Sequence, residues 1–460
     1  MTYRKRRVPG RQGPHVGGQK PHPRYVREGR DHPAVLGHPS RAPHDPTAAQ
    51  GYGCDWLALV LQRLRGFLAD TRPLKQAAFR RLWIANIVTV IGAQLTVVAV
   101  PAQIYALTNS SAWVGLTGLF GLVPLIVFGL WGGALADHFD RRTLLIITTA
   151  GLIGTSAMFC VLALQQHTDV WLLLIVYAVQ QACFAVNQPT RTAVLPALLP
   201  LDQLPSASSL NMTVMSAGAI AGPLIGGALI PIFGFPLLYL IDTVCLFATL
   251  WAVVNLPKLP PQGERRGTPG LRSVLDGLRY LLGHPILLTS FLVDGIAMIF
   301  GMPRALFPQI AHESFGGPVE GGLAFALLFA AMPAGAVLGG VLSGWVARVD
   351  RQGLAVVWSV IAWGAAITLT GLAVWFAPSA PMAMLAVAVA ALAFGGAADM
   401  ASAAFRQSML LAAADDNVRG RLQGVFIVVV AGGPRIADVL HGWSAEGIGT
   451  AATTAGGGLL

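Results

Sequence analysis

The sequence predicts an all-α integral membrane protein made of two pseudo-symmetric six-helix bundles, with the twelfth helix cut short. Three observations carry that prediction. Of 460 residues, 54% are hydrophobic and 11% are charged, where an ordinary soluble domain carries about 25% charge. From residue 82 onward the chain contains eleven apolar runs, each long enough at about 1.5 Å per residue to cross a hydrocarbon layer of about 30 Å. The two halves also repeat. Gly340, Leu342, Ser343 and Gly344, followed by Arg348 and Arg351, stand 207 positions after the run that begins at Gly133, and Arg406 stands 215 positions after Arg191.

Residues 1–50 hold ten Lys/Arg against three Asp/Glu, so they supply seven of the ten net positive charges and leave the membrane body nearly neutral. The basic balance therefore belongs to the tail, and no nucleic-acid partner is expected. This stretch is rich in Arg, His, Pro and Gly without apolar periodicity, and is expected to be disordered. Its histidines, His15, His22, His32, His38 and His44, lack tight ligand spacing, so no metal is expected there. Residues 56–67 alternate an apolar face with Gln62, Arg63 and Arg65 and read as a short interfacial helix, completing a 1–72 extension. No signal-peptide core opens the chain.

The spans fall near 82–105, 114–135, 143–164, 171–189, 205–231 and 237–255, then 287–309, 322–345, 354–376, 382–405 and 422–445. Connecting loops alternate in charge. Arg80/Arg81, Arg141/Arg142, Arg191, the 257–286 linker, Arg348/Arg351 and Arg406/Arg419/Arg421 fall on one side, while the loops at 108–112, 165–169, 234–236 and 377–381 contain no Lys or Arg. Positive loops stay in the cytoplasm, so the N-terminus is expected there. The linker separates a 73–256 bundle from a 287–460 bundle and carries at 271–282 an amphipathic surface helix. Beyond residue 447 there is room for roughly eleven helical residues, about 16 Å, so the second bundle is expected to hold five spans and a stub. Cys160, Cys183 and Cys245 fall inside spans and read as core residues rather than disulfides or ligands.

Between the second and third spans lies Gly133-Ala134-Leu135-Ala136-Asp137-His138-Phe139-Asp140-Arg141-Arg142, a polar knot between two uncharged runs. Its small residues permit close helix approach, and Asp137 is placed where a carboxylate meets helix N-terminal dipoles. The pattern G-x-L-A-D-x-x-[GD]-R-[RK] resembles the loop signature of the major facilitator superfamily of transporters. The resemblance implies the major facilitator fold, two bundles with substrate bound between them near the midplane. It also implies a latch in which the loop Asp pairs across the bundles with an arginine. Gly133, Asp137, Arg141, Arg142, Arg191, Arg406 and Arg421 are the gating candidates, the charged ones all assigned to cytoplasmic loops. Asp140 replaces the usual glycine and Gly344 stands where the second half could carry an Asp, so the latch is expected to be one-sided.

In the fifth span Gly218, Gly222, Pro223, Gly226 and Gly227 place glycines on one helical face beside a proline that frees a carbonyl, predicting a close-packed, slightly bent helix. The string also resembles the signature of proton-coupled exporters, with Ser209 in place of an earlier glycine. An ionisable group inside a span is expensive and is a functional candidate. Asp294 is the first choice for proton coupling, followed by Asp399 and Asp242, the alternative role being a structural bond. Arg435 and Asp438, three residues apart, are expected to pair with each other. Arg304 is expected near the outer mouth, attracting an anion. With Gln94, Gln180 and Gln181, which fall near mid-bilayer depth, Arg304 and Arg435 make up the substrate-cavity candidates. The superfamily often has an arginine in the fourth span for proton traffic, and here none precedes Arg191.

The strings Asn187-Gln188-Pro189-Thr190-Arg191, Leu204-Pro205-x-Ala207, Met302-Pro303-Arg304-Ala305-Leu306-Phe307-Pro308 and Arg419-Gly420-Arg421-Leu422-Gln423-Gly424 resemble the enterobactin (siderophore) exporter group. This likeness runs from about residue 78 to 445. It implies a secondary active efflux transporter for a siderophore or drug-like amphiphile, working by proton antiport and alternating access. The rivals are a small-solute importer or facilitator of the same fold and a non-transporting remnant or sensor. No phosphate-binding loop and no Ser-His-Asp, Cys-His or metal constellation occurs in the membrane body, so no enzyme and no cofactor are expected. The expected partners are a small-molecule substrate, the lipid bilayer and the proton gradient, for a monomer in the plasma (inner) membrane.

Overall fold

Helices account for all regular secondary structure in the described part of the computed structural model, which covers residues 70–165, 169–258, 279, 282–413 and 419–460. The side chains of 130–138, 286, 287, 347, 410–413 and 419–430 lie outside that description. So do the basic tail, the 56–67 helix, nearly all of the 271–282 helix, and the side chains of Asp137 and Arg421, with whatever role they play in a latch.

The helices are α1 (Ala77–Thr108), α2 (Ser111–His138), α3 (Arg141–Leu164), α4 (Val170–Leu198), α5 (Leu204–Val254), α6 (Pro285–Phe300), α7 (Leu323–Val341), α8 (Gln352–Phe376), α9 (Pro381–Ala413), α10 (Arg419–Ile448) and α11 (Thr450–Leu459). Among the described residues nine helical segments are long and apolar enough to cross a membrane. One of them contains α5, whose 51 residues turn at Gly234 (φ 73°) and so serve as two arms, matching two predicted spans. α10, whose side chains are described only from 431 onward, is not among the nine, and its described part carries Arg435, Asp438 and Glu446.

Local chemistry explains the ends. Asp140 accepts from the Thr143 amide and hydroxyl, capping α3, and Asp169 accepts from the Trp171 amide at 2.9 Å, capping α4. Asp140 therefore starts a helix at the position where the family pattern has a glycine. Ahead of α1, Asp70 accepts from Arg72 and Ser206, tying this segment to the start of α5. The Arg72 hydrogen bonds hold the Asp70 carboxyl well below the usual carboxylate range.

The structure corrects three expectations of length. The fourth span, predicted to stop at 189, continues to Leu198, because Pro189 and Pro196 each remove one amide without breaking α4. The seventh, predicted to run to 309, ends at Phe300. Pro303 and Pro308 break the chain beyond it into a short 3-10 segment (Arg304–Leu306), one turn (Phe307–Gln309) and a π turn (Ile310–Ser314). The tenth, predicted to stop at 405, continues to Ala413. Arg191 and Arg406 are therefore not loop residues: they sit within α4 and α9, and Arg406 is buried.

α1 lies along both arms of α5, α2 packs on α4 and α10, α7 on α9 and α5, and α8 on α9 and α11. The α1–α5 approach depends on glycine. A Cβ at Gly222 would overlap the Gln94 side chain, and one at Gly227 would come within 3.0 Å of the Ala326 backbone on α7.

The two ends of the bundle differ. At the end holding Asn109, Gly234 and Gly316, the halves before and after the linker are tied by hydrogen bonds: Tyr105 to Glu313 (3.0 Å), Ser111 to Gln309 (2.6 Å), Ser110 to Glu446 (2.5 Å), and the Gly322 amide to the Gly227 carbonyl (2.9 Å). At the arginine end, Arg141 donates to the Ala193 carbonyl, Arg142 to the Val254 carbonyl and Arg191 to Asn86. All three bonds stay within the first half.

Candidate functional site

α4 presents Tyr177, Gln180/Gln181, Phe184, Asn187/Gln188, Arg191 and Leu195 at helical spacing, and these residues line one wall of a cavity of about 330 Å³. Phe79, Trp83, Asn86, Val90 and Gln94 of α1 and Asp242 and Leu246 of α5 form other walls. It runs from the arginine-end turns of α1 and α4 inward to Tyr177. A second cavity of about 430 Å³ lies between the halves, lined by Pro101, Thr117, Pro223, Arg304, Phe329, Trp363, Asp399 and Asp438 among others. Gln94, Val97, Tyr177 and Arg435 line both. The cavities therefore adjoin, with Arg435 in the partition.

Arg435 reaches from α10 to α4. It donates to the Tyr177 hydroxyl and, at 3.1 Å, to the Gln181 carbonyl oxygen, and its guanidinium lies 5.6 Å from the Tyr177 ring centroid. The expected Arg435–Asp438 pair does not form: Asp438 binds Arg304 at 2.9 Å instead. Three residues of spacing leave them only about 60° apart on α10, which permits a pair, but each is taken by a partner on a neighbouring element. Arg304 consequently lines the second cavity with its charge matched, rather than standing alone at an outer mouth.

The three carboxylate candidates have distinct surroundings. Asp242 accepts from Thr96 at 2.7 Å and Ser156 at 2.9 Å through one oxygen, while its other oxygen is buried without a donor. Gly92 makes room for it, since a Cβ there would stand 2.8 Å from that free oxygen. Asp294 on α6 is paired with Arg406 on α9, both buried. Asp399 lines the second cavity. Of the predicted cavity residues, Gln94, Gln180, Gln181 and Arg435 come together, and Arg304 joins Arg435 across the second cavity. Gly218, Gly222 and Gly226 pack on α1 and Gly227 on α7.

Sequence reasoning missed Tyr177, the hydroxyl donors Thr96 and Ser156, and the carboxylates Glu313 and Glu446. Tyr177 stands four residues before Gln181 on the same face, a spacing that flags it once Gln181 is suspected. The others are joined only by tertiary packing.

Residues 69–460 match the family described as transmembrane secretion effector. The chain belongs to the major facilitator superfamily. Within this superfamily it is similar to the enterobactin exporter EntS of Shigella boydii serotype 18, 31% identical over 307 residues that cover 66% of this chain and 70% of that one. EntS of Escherichia coli O1:K1 is 30% identical over the same shares. Among solved structures, the nucleoside transporter NupG gives a TM-score of 0.65 at 12% identity, covering 83% of this chain and 95% of its own. A bacterial homologue of the human lysosomal transporter Spinster, inward-facing and unoccupied, gives 0.61 at 17% identity over 82% and 84%. These two establish the major facilitator fold. The protein is thus a multi-pass membrane transporter and not an enzyme.

Proposed function

We propose that this major facilitator protein is a secondary active exporter of a siderophore or drug-like amphiphile, driven by proton antiport through alternating access. The observation that carries the reading is the pair of adjoining cavities, the second between the halves, in a protein whose described residues tie the halves by hydrogen bonds at one end and not at the other. With the N-terminus cytoplasmic in the plasma membrane, as the arginine-bearing loops favour, the arginine end faces the cytoplasm and the first cavity opens towards it for loading. The apolar walls of the first cavity, broken by glutamines and arginines, suit an amphiphile. The two enterobactin exporters among its relatives support outward transport of such a molecule.

Two bundles, 73–256 and 287–460, then rock about this cleft, and Asp137 with its neighbouring arginines forms the latch of the closed inner gate. Asp242, Asp294 and Asp399 are the candidate proton carriers. Asp242 is favoured over Asp294 because it borders the first cavity and has an oxygen free to take a proton, whereas Asp294 already has Arg406.

The test is transport by the purified chain in liposomes with an imposed pH gradient, using a panel of siderophores and amphiphilic drugs. Efflux against the substrate gradient, abolished when the pH gradient is collapsed, is expected. Flux indifferent to the pH gradient overturns antiport, and net flux inward overturns export. Asp137→Asn is expected to abolish efflux while leaving insertion and folding intact.

A further inference from the structure

Arg435 is a cation in the shared wall of two cavities, and the partners described for it, Tyr177 and Gln181, offer only neutral oxygens. The nearest acid on its own helix is committed elsewhere, Asp438 being held by Arg304 at 2.9 Å. A guanidinium withdrawn from bulk water gains far more from an anion than from a phenol or an amide, because charge-assisted bonds are roughly twice as strong as neutral ones. Gly121 of α2 admits the guanidinium into this wall, since a Cβ there would stand 2.9 Å from one of its nitrogens. Around it the first cavity offers apolar surface from Val90, Val97, Phe184 and Leu246.

We propose that Arg435 anchors an anionic group, a carboxylate or another acidic oxygen, of an amphiphilic substrate, and that the Tyr177 hydroxyl occupies that place in the empty protein. The substrate's acid displaces the phenol and accepts from the guanidinium edge that Tyr177 leaves, while its apolar body lies along the α4 wall. Tyr177 is then an internal competitor rather than a binding residue. Because Arg435 and Tyr177 together divide the two cavities, the exchange also opens the passage from the first to the second. This inference rests on the cavities being the substrate path of the proposed exporter.

The test measures binding of 1-naphthoate and of its neutral methyl ester to the purified full-length protein in detergent, with no membrane or gradient. Arg435→Gln is expected to weaken naphthoate about tenfold and leave the ester unchanged, and Arg435→Lys to recover part of the loss. Tyr177→Phe, which removes the competing hydroxyl and keeps the ring, is expected to tighten naphthoate roughly threefold. Size-exclusion profiles identify any variant that fails to fold, and Arg435→Lys then serves in place of Arg435→Gln. The proposal is overturned if Tyr177→Phe weakens naphthoate, if the arginine variants change acid and ester alike, or if the wild type binds neither probe better than Arg435→Gln does. A correct binding pattern without vectorial flux in liposomes sinks the exporter reading and leaves the anion site standing. Proton-driven flux with no acid preference does the reverse.

Discussion

Asp242 and Asp294 are the same residue at the same depth of burial, 1% and 2% exposed, and they differ in what surrounds them. Asp294 meets a guanidinium on a neighbouring helix, so its negative charge is cancelled and both partners are fixed by the pairing. Asp242 meets only hydroxyls, those of Thr96 and Ser156, and Ser156 in turn accepts from Thr243 at 3.1 Å. Hydroxyls can turn to serve either protonation state of the acid, because each both donates and accepts. The contrast separates a carboxylate that holds helices together from one that can exchange a proton while its surroundings stay in place.

The largest effect expected from this contrast is at the ion pair. Asp294→Asn leaves Arg406 buried without an anion and should lower stability by about 3–5 kcal/mol. A fall in the thermal unfolding midpoint and loss of monodisperse protein are the readouts. Asp294→Leu combined with Arg406→Met should regain most of that loss, since apolar side chains of similar volume remove both desolvation penalties. A stable Asp294→Asn protein that still transports would erase the distinction between the two aspartates.

The next effect sharpens the comparison from the other side. Ser156→Ala removes one of two donors to Asp242, and a bond to an ionised carboxylate contributes about 1.5–3 kcal/mol against about 1 kcal/mol for a neutral one. Measured by thermal unfolding across pH, the size of the loss thus reports the charge of Asp242. If Asp242 carries protons, the loss should grow as pH rises and the group ionises. A loss of constant size from acid to alkaline pH would mean that Asp242 does not titrate.

Asp242→Asn should change stability less, by about 1 kcal/mol, because the amide oxygen can still accept from Thr96 and Ser156. Efflux driven by the pH gradient should nevertheless disappear in liposomes, while downhill exchange of substrate continues. Retained gradient-driven efflux would move the coupling role to Asp399 or Asp294.

The asymmetry between these aspartates explains what could be read from the sequence. Helix positions were legible because spans 143–164 and 354–376 are uncharged runs, each with an arginine loop before it and a loop without Lys or Arg after it, and those runs are α3 and α8 almost residue for residue. That Asp242, Asp294 and Asp399 lie inside apolar helices, where carboxylates are rare, was legible. Which of them is neutralised was not. The partners Asp294 and Arg406 lie 112 positions apart, and nothing local in either segment points to the other. Spacing within one helix misled where it suggested a partner, as with Arg435 and Asp438, because α4 and the short 3-10 segment beyond α6 offered better ones. Proline misled similarly, ending the fourth span too early at Pro189 and thereby placing Arg191 in a loop instead of on a cavity wall.

A third carboxylate extends the comparison to its weakest case. Glu313, at the end where the halves are tied, accepts from Tyr105 of the first half at 3.0 Å and from Gln309 at 2.9 Å, and like Asp242 it has neutral donors, but its bond to Gln309 is solvent-exposed. Water competes for an exposed acceptor, so Tyr105→Phe should cost only about 0.5–1 kcal/mol. Its measurable consequence lies in conformation, since a tie made across halves on one end stabilises the state in which that end is closed. A shift of 0.5–1 kcal/mol is about two- to fivefold in a two-state equilibrium. Labelling of a cysteine placed at Ala112, whose contact to Glu446 is through its backbone amide, by a membrane-impermeant reagent from the side the proposed orientation gives as outside should therefore rise by about that factor in the Tyr105→Phe background. Unchanged labelling would mean that Glu313 merely decorates the closed end, and that the ties at Gln309, Glu446 and Gly322 hold it shut without help.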